Sequence, residues 1–121
     1  MFHAAGGGHL GPRAAALLDR CERREALLYV PAAVIWECGL LARGGRIDLR
    51  RGLGAFFDDL FSNPAFQPLD LAPAQIVLAD ELRFARDPID ALIVAAAQTL
   101  GLPLVTRDAA IREPGAVRVV W

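Results

Sequence analysis

The 121-residue sequence has no lysine: its 13 basic side chains are all arginine, set against 14 Asp and Glu for a net charge of −1. That balance excludes a protein that coats nucleic acid through bulk charge and leaves only a local basic patch open. Cysteine is scarce too, with Cys21 and Cys38 alone. They lie in apolar-periodic stretches without CxxC spacing, so buried free thiols in a reducing cytoplasm are expected rather than a disulfide. Two histidines, His3 and His9, are too few for a zinc site without scattered help, and we expect them in exposed turns. No apolar run approaches the ~20 residues that cross a bilayer, and the longest, Ala91 to Ala97, falls far short. Met1-Phe2-His3 is not the basic start of a secretory leader, so no membrane association and a cytoplasmic location are expected.

What is present is a core. Hydrophobic residues make up 55% and charged residues 22%, which excludes a disordered chain and predicts one domain over residues 1–121. Apart from Gly6 to Gly8 there is no low-complexity tract, and no repeat. Helical and extended patterns alternate. Pro12 opens a helix over 11–25, and Leu27 to Val30 reads as a buried strand. Pro31 opens a second helix that stops at Gly44-Gly45, and a third carries Phe56, Phe57, Leu60 and Phe61 up to Pro64. Phe66 to Leu71 reads as a strand, and Pro73 begins a helix through Ile76, Leu78, Leu82 and Phe84. Asp87-Pro88-Ile89-Asp90 opens a helix over Ala91 to Leu100, closed by Gly101; strands follow at 102–106 and 117–121. Strands separated by helices predict a three-layer α/β/α fold around a parallel sheet, with its site at the carboxyl ends of the strands.

Three carboxylates, Glu37, Asp90 and Asp108, fall at such ends, with Asp87 close to the second in sequence. Glu37 sits between Trp36 and Cys38 in an apolar helix, either held at a cleft or on an amphipathic edge. Asp87 and Asp90 bracket a helix start, where Asp87 as N-cap and Asp90 at N3 suit the helix dipole. Capping accounts for Asp87, but Glu or Gln reaches back better from N3, so Asp90 leans towards a functional role. Asp108 directly follows the strand ending at Thr106, again as N-cap or as ligand. Carboxylates gathered at one edge repel unless a cation compensates them, and oxygen-only donors select Mg²⁺ or Mn²⁺. Such ions serve phosphodiester hydrolysis.

The stretches Tyr29 to Glu37, Arg86 to Ala97 and Leu102 to Asp108, in this order and spacing, resemble the PIN-domain family, and within it the VapC-type toxins of bacterial toxin–antitoxin pairs. Gly45 to Leu49 agrees as well, over about residues 3–121. The resemblance implies a metal-dependent ribonuclease whose catalytic and metal-binding residues are Glu37, Asp90 and Asp108. Thr106 matches a hydroxyl at the edge of the site, and Asp87 a capping or supporting carboxylate. It also implies an RNA substrate, a cognate VapB-like antitoxin and a homodimer. Members of the family begin with an apolar strand ending in an Asp-Thr-His-like turn, whose Asp is the first metal ligand. Met1-Phe2-His3 resembles the residues after that turn, which predicts a fold lacking this strand and its Asp. Pro31-Ala32 also replaces a frequent Ser. The alternative function is therefore a catalytically inactive or truncated PIN-like binding protein. A flavodoxin-like ligand-binding domain is more distant, because no glycine-rich phosphate loop follows a predicted strand.

Two further groups carry alternatives. Arg43, Arg46, Arg50 and Arg51 read as a solvated face around Asp48, or as contacts to RNA phosphates. Phe56, Phe57, Leu60 and Phe61 read as core, or as a docking face for an antitoxin helix.

Overall fold

Proline punctuates this chain. Pro12, Pro73 and Pro88 each occupy a first helical position, where the missing N–H would have had no intrahelical partner. The computed structural model describes residues 10–83, 87–107, 111 and 115–121. These form α1 (Pro12–Glu22), β1 (Leu28–Pro31), α2 (Ala32–Arg43), α3 (Leu53–Phe61), β2 (Phe66–Leu69), α4 (Pro73–Glu81), α5 (Pro88–Leu100), β3 (Leu104–Val105) and β4 (Val119–Val120). None of the described helices is long and apolar enough to cross a membrane. The chain divides into two compact units, one ending at Leu69 and the other beginning at Asp70.

In the first unit β1 and β2 pair in parallel, Leu28 opposite Phe66 and Pro31 opposite Leu69. The Leu28 N–H donates to Ala65 O at 2.8 Å, one residue ahead of the ladder. Pro31 ends β1 and also serves as the N-cap of α2, so the helix begins one residue later than the sequence predicts. Around this pair the apolar stripes of α2 and α3 close over Val30, Cys38, Ile47, Leu49 and Phe57. A second cluster joins α1 to the strands through Cys21, Ala65 and Phe66. Phe57 is 4% exposed and packs edge-on to Phe56 at 5.2 Å and near Phe61 at 5.8 Å. The aromatic group of α3 is core. Both cysteines are buried and free, as expected. α1 ends at Glu22 rather than residue 25, because Arg24 turns left-handed at φ 61° and carries Glu25 N–H back to Arg20 O at 2.8 Å.

In the second unit α4 lies against α5 through Ala79, Ala91 and Ala95, with Leu78, Leu82 and Leu92 around them. Alanines at the contact let the two backbones approach, and they also favour helix. α5 closes in a Schellman motif: Gly101 adopts φ 65°, its N–H reaches Gln98 O at 3.1 Å, and the Leu102 N–H reaches Ala97 O at 3.2 Å. β3 and β4 pair in parallel, Leu104 opposite Val119 and Val105 opposite Val120. β3 is shorter than the predicted 102–106, since Pro103 offers no donor to a ladder. β2 likewise stops at Leu69 instead of Leu71. The fold is α/β with parallel strands, as the sequence implies. The difference is that the described strands form two separate parallel pairs instead of one continuous sheet. The pairing partners are fixed by sequence neighbourhood, β1 with β2 and β3 with β4.

Candidate metal centre

The start of α5 brings together two acidic groups of the second unit. Asp87 is the N-cap, in extended conformation at φ −86° and ψ 120°, and its Oδ1 accepts from the Ile89 N–H at 2.8 Å. Pro88 follows at N1, and Asp90 falls in the same first turn. Spacing and cap together bring carboxylate oxygens of Asp87 and Asp90 within 4.8 Å of each other. Two carboxylate charges this close repel one another, weakly where water reaches them as it does Asp87. The positive end of the helix dipole offsets part of this, and a cation would offset the rest. Asp87 is exposed and Asp90 half-buried, so the pair is reachable from solvent. The donors are hard oxygens without sulfur or imidazole, a set that fits Mg²⁺ or Mn²⁺.

Thr106 belongs to the same unit, directly after β3. It is half-buried, and its backbone N–H donates to Val120 O at 3.2 Å, extending the β3–β4 ladder by one bond. Its hydroxyl therefore stands on a fixed strand end. Asp108 lies outside the described residues, as do His3, His9 and Gly6 to Gly8.

Glu37 belongs to the first unit, in the middle of α2 and half-buried. Its neighbour Cys38 is 2% exposed, and burial pushes the thiol above its ordinary value, with the Glu37 charge adding in the same direction. Glu37 is thus a half-buried acidic residue beside the buried Cys38. Sequence reasoning gave Asp87 only a capping or supporting part. The structure adds that its carboxylate shares the first turn of α5 with Asp90 as a second oxygen donor, which the i, i+3 spacing at a helix start already carried. Sequence reasoning gave Trp36 no role beyond the family motif. It is 57% exposed on α2, with Arg43 Cζ 5.2 Å from its ring centroid. The seven-residue spacing of the two along one helix was the available signal.

The chain is α/β with parallel strands, and its helix α5 begins on paired carboxylates. The model of the PIN domain matches residues 10–117, and the chain belongs to that family. PIN domains are typically metal-dependent nucleases. A comparison with curated proteins gives no match.

Proposed function

We propose that this protein is a divalent-metal-dependent endoribonuclease, the toxin of a toxin–antitoxin pair. The observation that carries the reading is the pairing of Asp87 and Asp90 at the first turn of α5 in a chain matched to the PIN domain along residues 10–117. Glu37, Asp90 and Asp108 hold Mg²⁺ or Mn²⁺ with Asp87 beside them, and Thr106 lines the edge. When bound, such an ion lowers the pKa of water and offsets charge on a scissile phosphate. The chain's own contribution is to hold anionic oxygens at fixed points. Asp87 fixes the first turn of α5 through its bond to Ile89, and that turn presents Asp90. Glu37 adds negative charge from a helix whose neighbouring side chains are apolar. RNA is the substrate, a VapB-like antitoxin the inhibitor, a homodimer the assembly and the cytoplasm the location.

Purified protein incubated with single-stranded RNA tests the reading. Cleavage is expected with Mg²⁺ or Mn²⁺ and none with EDTA. Asp90→Asn is expected to remove most activity with the fold intact, because Asp87 keeps the cap of α5 and the amide has the size of the carboxylate it replaces. Induction in a bacterial host is expected to arrest growth for the wild type but not for Asp90→Asn. Cleavage that survives EDTA, or that Asp90→Asn leaves unchanged, would overturn the mechanism. A folded protein that never cleaves is the inactive binding protein of the alternative reading.

A further inference from the structure

The first unit contains a cleft of about 410 Å³ between α2, the loop after it and the start of α3. Its floor is apolar, made of Leu49, Leu53 and Gly39. A Cβ on Gly39 would lie 3.1 Å from Leu53 Cδ2, closer than ordinary contact, so glycine suits the approach of Leu53 to α2. One wall is the indole of Trp36, 57% exposed on α2. The polar groups at the rim are the guanidinium groups of Arg43 and Arg51, and among the described residues no carboxylate is part of the lining. Arg43 stacks on Trp36, its Cζ 5.2 Å from the ring centroid, and among the described residues it forms no ion pair. Arg51 pairs with Asp59 at 3.0 Å, but both side chains are largely exposed and such a pair is weak and exchangeable.

An apolar floor, an aromatic face and two cations complement a ligand that is planar and apolar on its faces and anionic along its edge. A nucleotide of a single strand has this form: its base stacks on indole or guanidinium planes and its phosphate meets arginine. The apolar side of a protein helix would use the floor alone and leave the guanidinium group of Arg43 without an anion. We propose that the Trp36–Arg43 cleft is a subsite for one unpaired nucleotide of the RNA, binding it by stacking on Trp36 and by phosphate contact to Arg43 and Arg51. The proposal rests on the nuclease reading and deepens it, restricting the substrate to RNA with an unstacked base.

Fluorescence anisotropy with a labelled single-stranded RNA octamer in EDTA measures binding without cleavage. Wild type is expected to bind; Trp36→Ala to bind about tenfold more weakly or worse, and Trp36→Phe close to wild type, since a ring suffices for stacking. Arg43→Ala is expected to weaken binding and to lower the salt dependence by about one counterion. Both residues are exposed, and circular dichroism checks that each variant folds. Wild type that binds no octamer, or Trp36→Ala that binds like wild type, overturns the subsite. Cleavage assays with Mn²⁺ separate the two levels. Cleavage whose KM ignores Trp36→Ala removes the subsite and leaves the nuclease standing. Trp36-dependent binding without any cleavage keeps the subsite and removes the nuclease.

Discussion

Asp87 and Cys21 show how single side chains in this protein answer to more than one demand. Asp87 caps α5 and lies beside Asp90, so substitutions divide its roles. Asp87→Ala removes the acceptor for the Ile89 N–H and is expected to cost about 1 kcal/mol of stability, whereas Asp87→Asn is expected to cost little, as read from urea denaturation. If both substitutions are neutral in urea, the cap is not holding the helix start. Cys21 is wholly buried among Leu17, Leu18, Ala26, Leu28, Ala65 and Phe66. Burial pushes its thiol above the ordinary 9.0, with Arg20 acting weakly in the other direction. In the unfolded chain the thiol ionises near 9.0, while in the fold it keeps its proton to higher pH. Stability from this group is therefore complete below pH 9 and is lost as pH rises through the folded value. The urea midpoint of wild type is expected to fall more between pH 8 and pH 10.5 than that of Cys21→Ala. Equal falls would remove Cys21 as the source.

At the scale of elements, glycine and proline made the helices legible, and side-chain chemistry alone did not make the strands so. Gly101 was readable as the stop of α5 because a left-handed residue is needed there, and the structure gives it φ 65°. Gly101→Ala is expected to destabilise by about 1 kcal/mol or more, since alanine pays the left-handed penalty and gains no contact. Phe57 was readable as apolar, but whether α3 docked a partner or filled a core depended on which way it turned. With its ring 4% exposed inside the Val30–Cys38–Ile47 cluster, Phe57→Ala is expected to cost about 3–5 kcal/mol in urea denaturation. A cost under 1 kcal/mol would place the ring outside the core. Strand ends were less legible because Pro31, Pro68 and Pro103 remove donors within or beside the short ladders, which apolar runs do not report. The acidic start of α5 was legible from four consecutive residues. The Trp36 cleft was not, because its walls come from α2, the loop after it and α3, and only folding brings residues 36 and 53 to one surface.

At the scale of the whole molecule, the proposed ligands come from both halves of the sequence, Glu37 before residue 69 and Asp90 after it. An ion held by such a set binds the folded chain and not the unfolded one, so it must stabilise by mass action. At a free Mn²⁺ concentration one hundred times its dissociation constant the gain is about 2.7 kcal/mol, visible as a rise in the melting midpoint. The rise is expected to shrink as pH falls below 5, where carboxylates take up protons and compete with the ion. Asp90→Asn is expected to abolish it, because an amide supplies no charge. Glu37→Gln is the more informative substitution, since Glu37 stands on α2, away in sequence from the acidic start of α5. If Glu37→Gln also abolishes the rise, Glu37 takes part in binding the ion. If the rise persists undiminished in Glu37→Gln, the ion is held by the α5 carboxylates and Glu37 has no part in its binding. Calcium in place of Mn²⁺ provides the check on charge against geometry: a comparable rise with Ca²⁺ but no cleavage would separate binding of a cation from the octahedral arrangement that Mg²⁺ and Mn²⁺ favour.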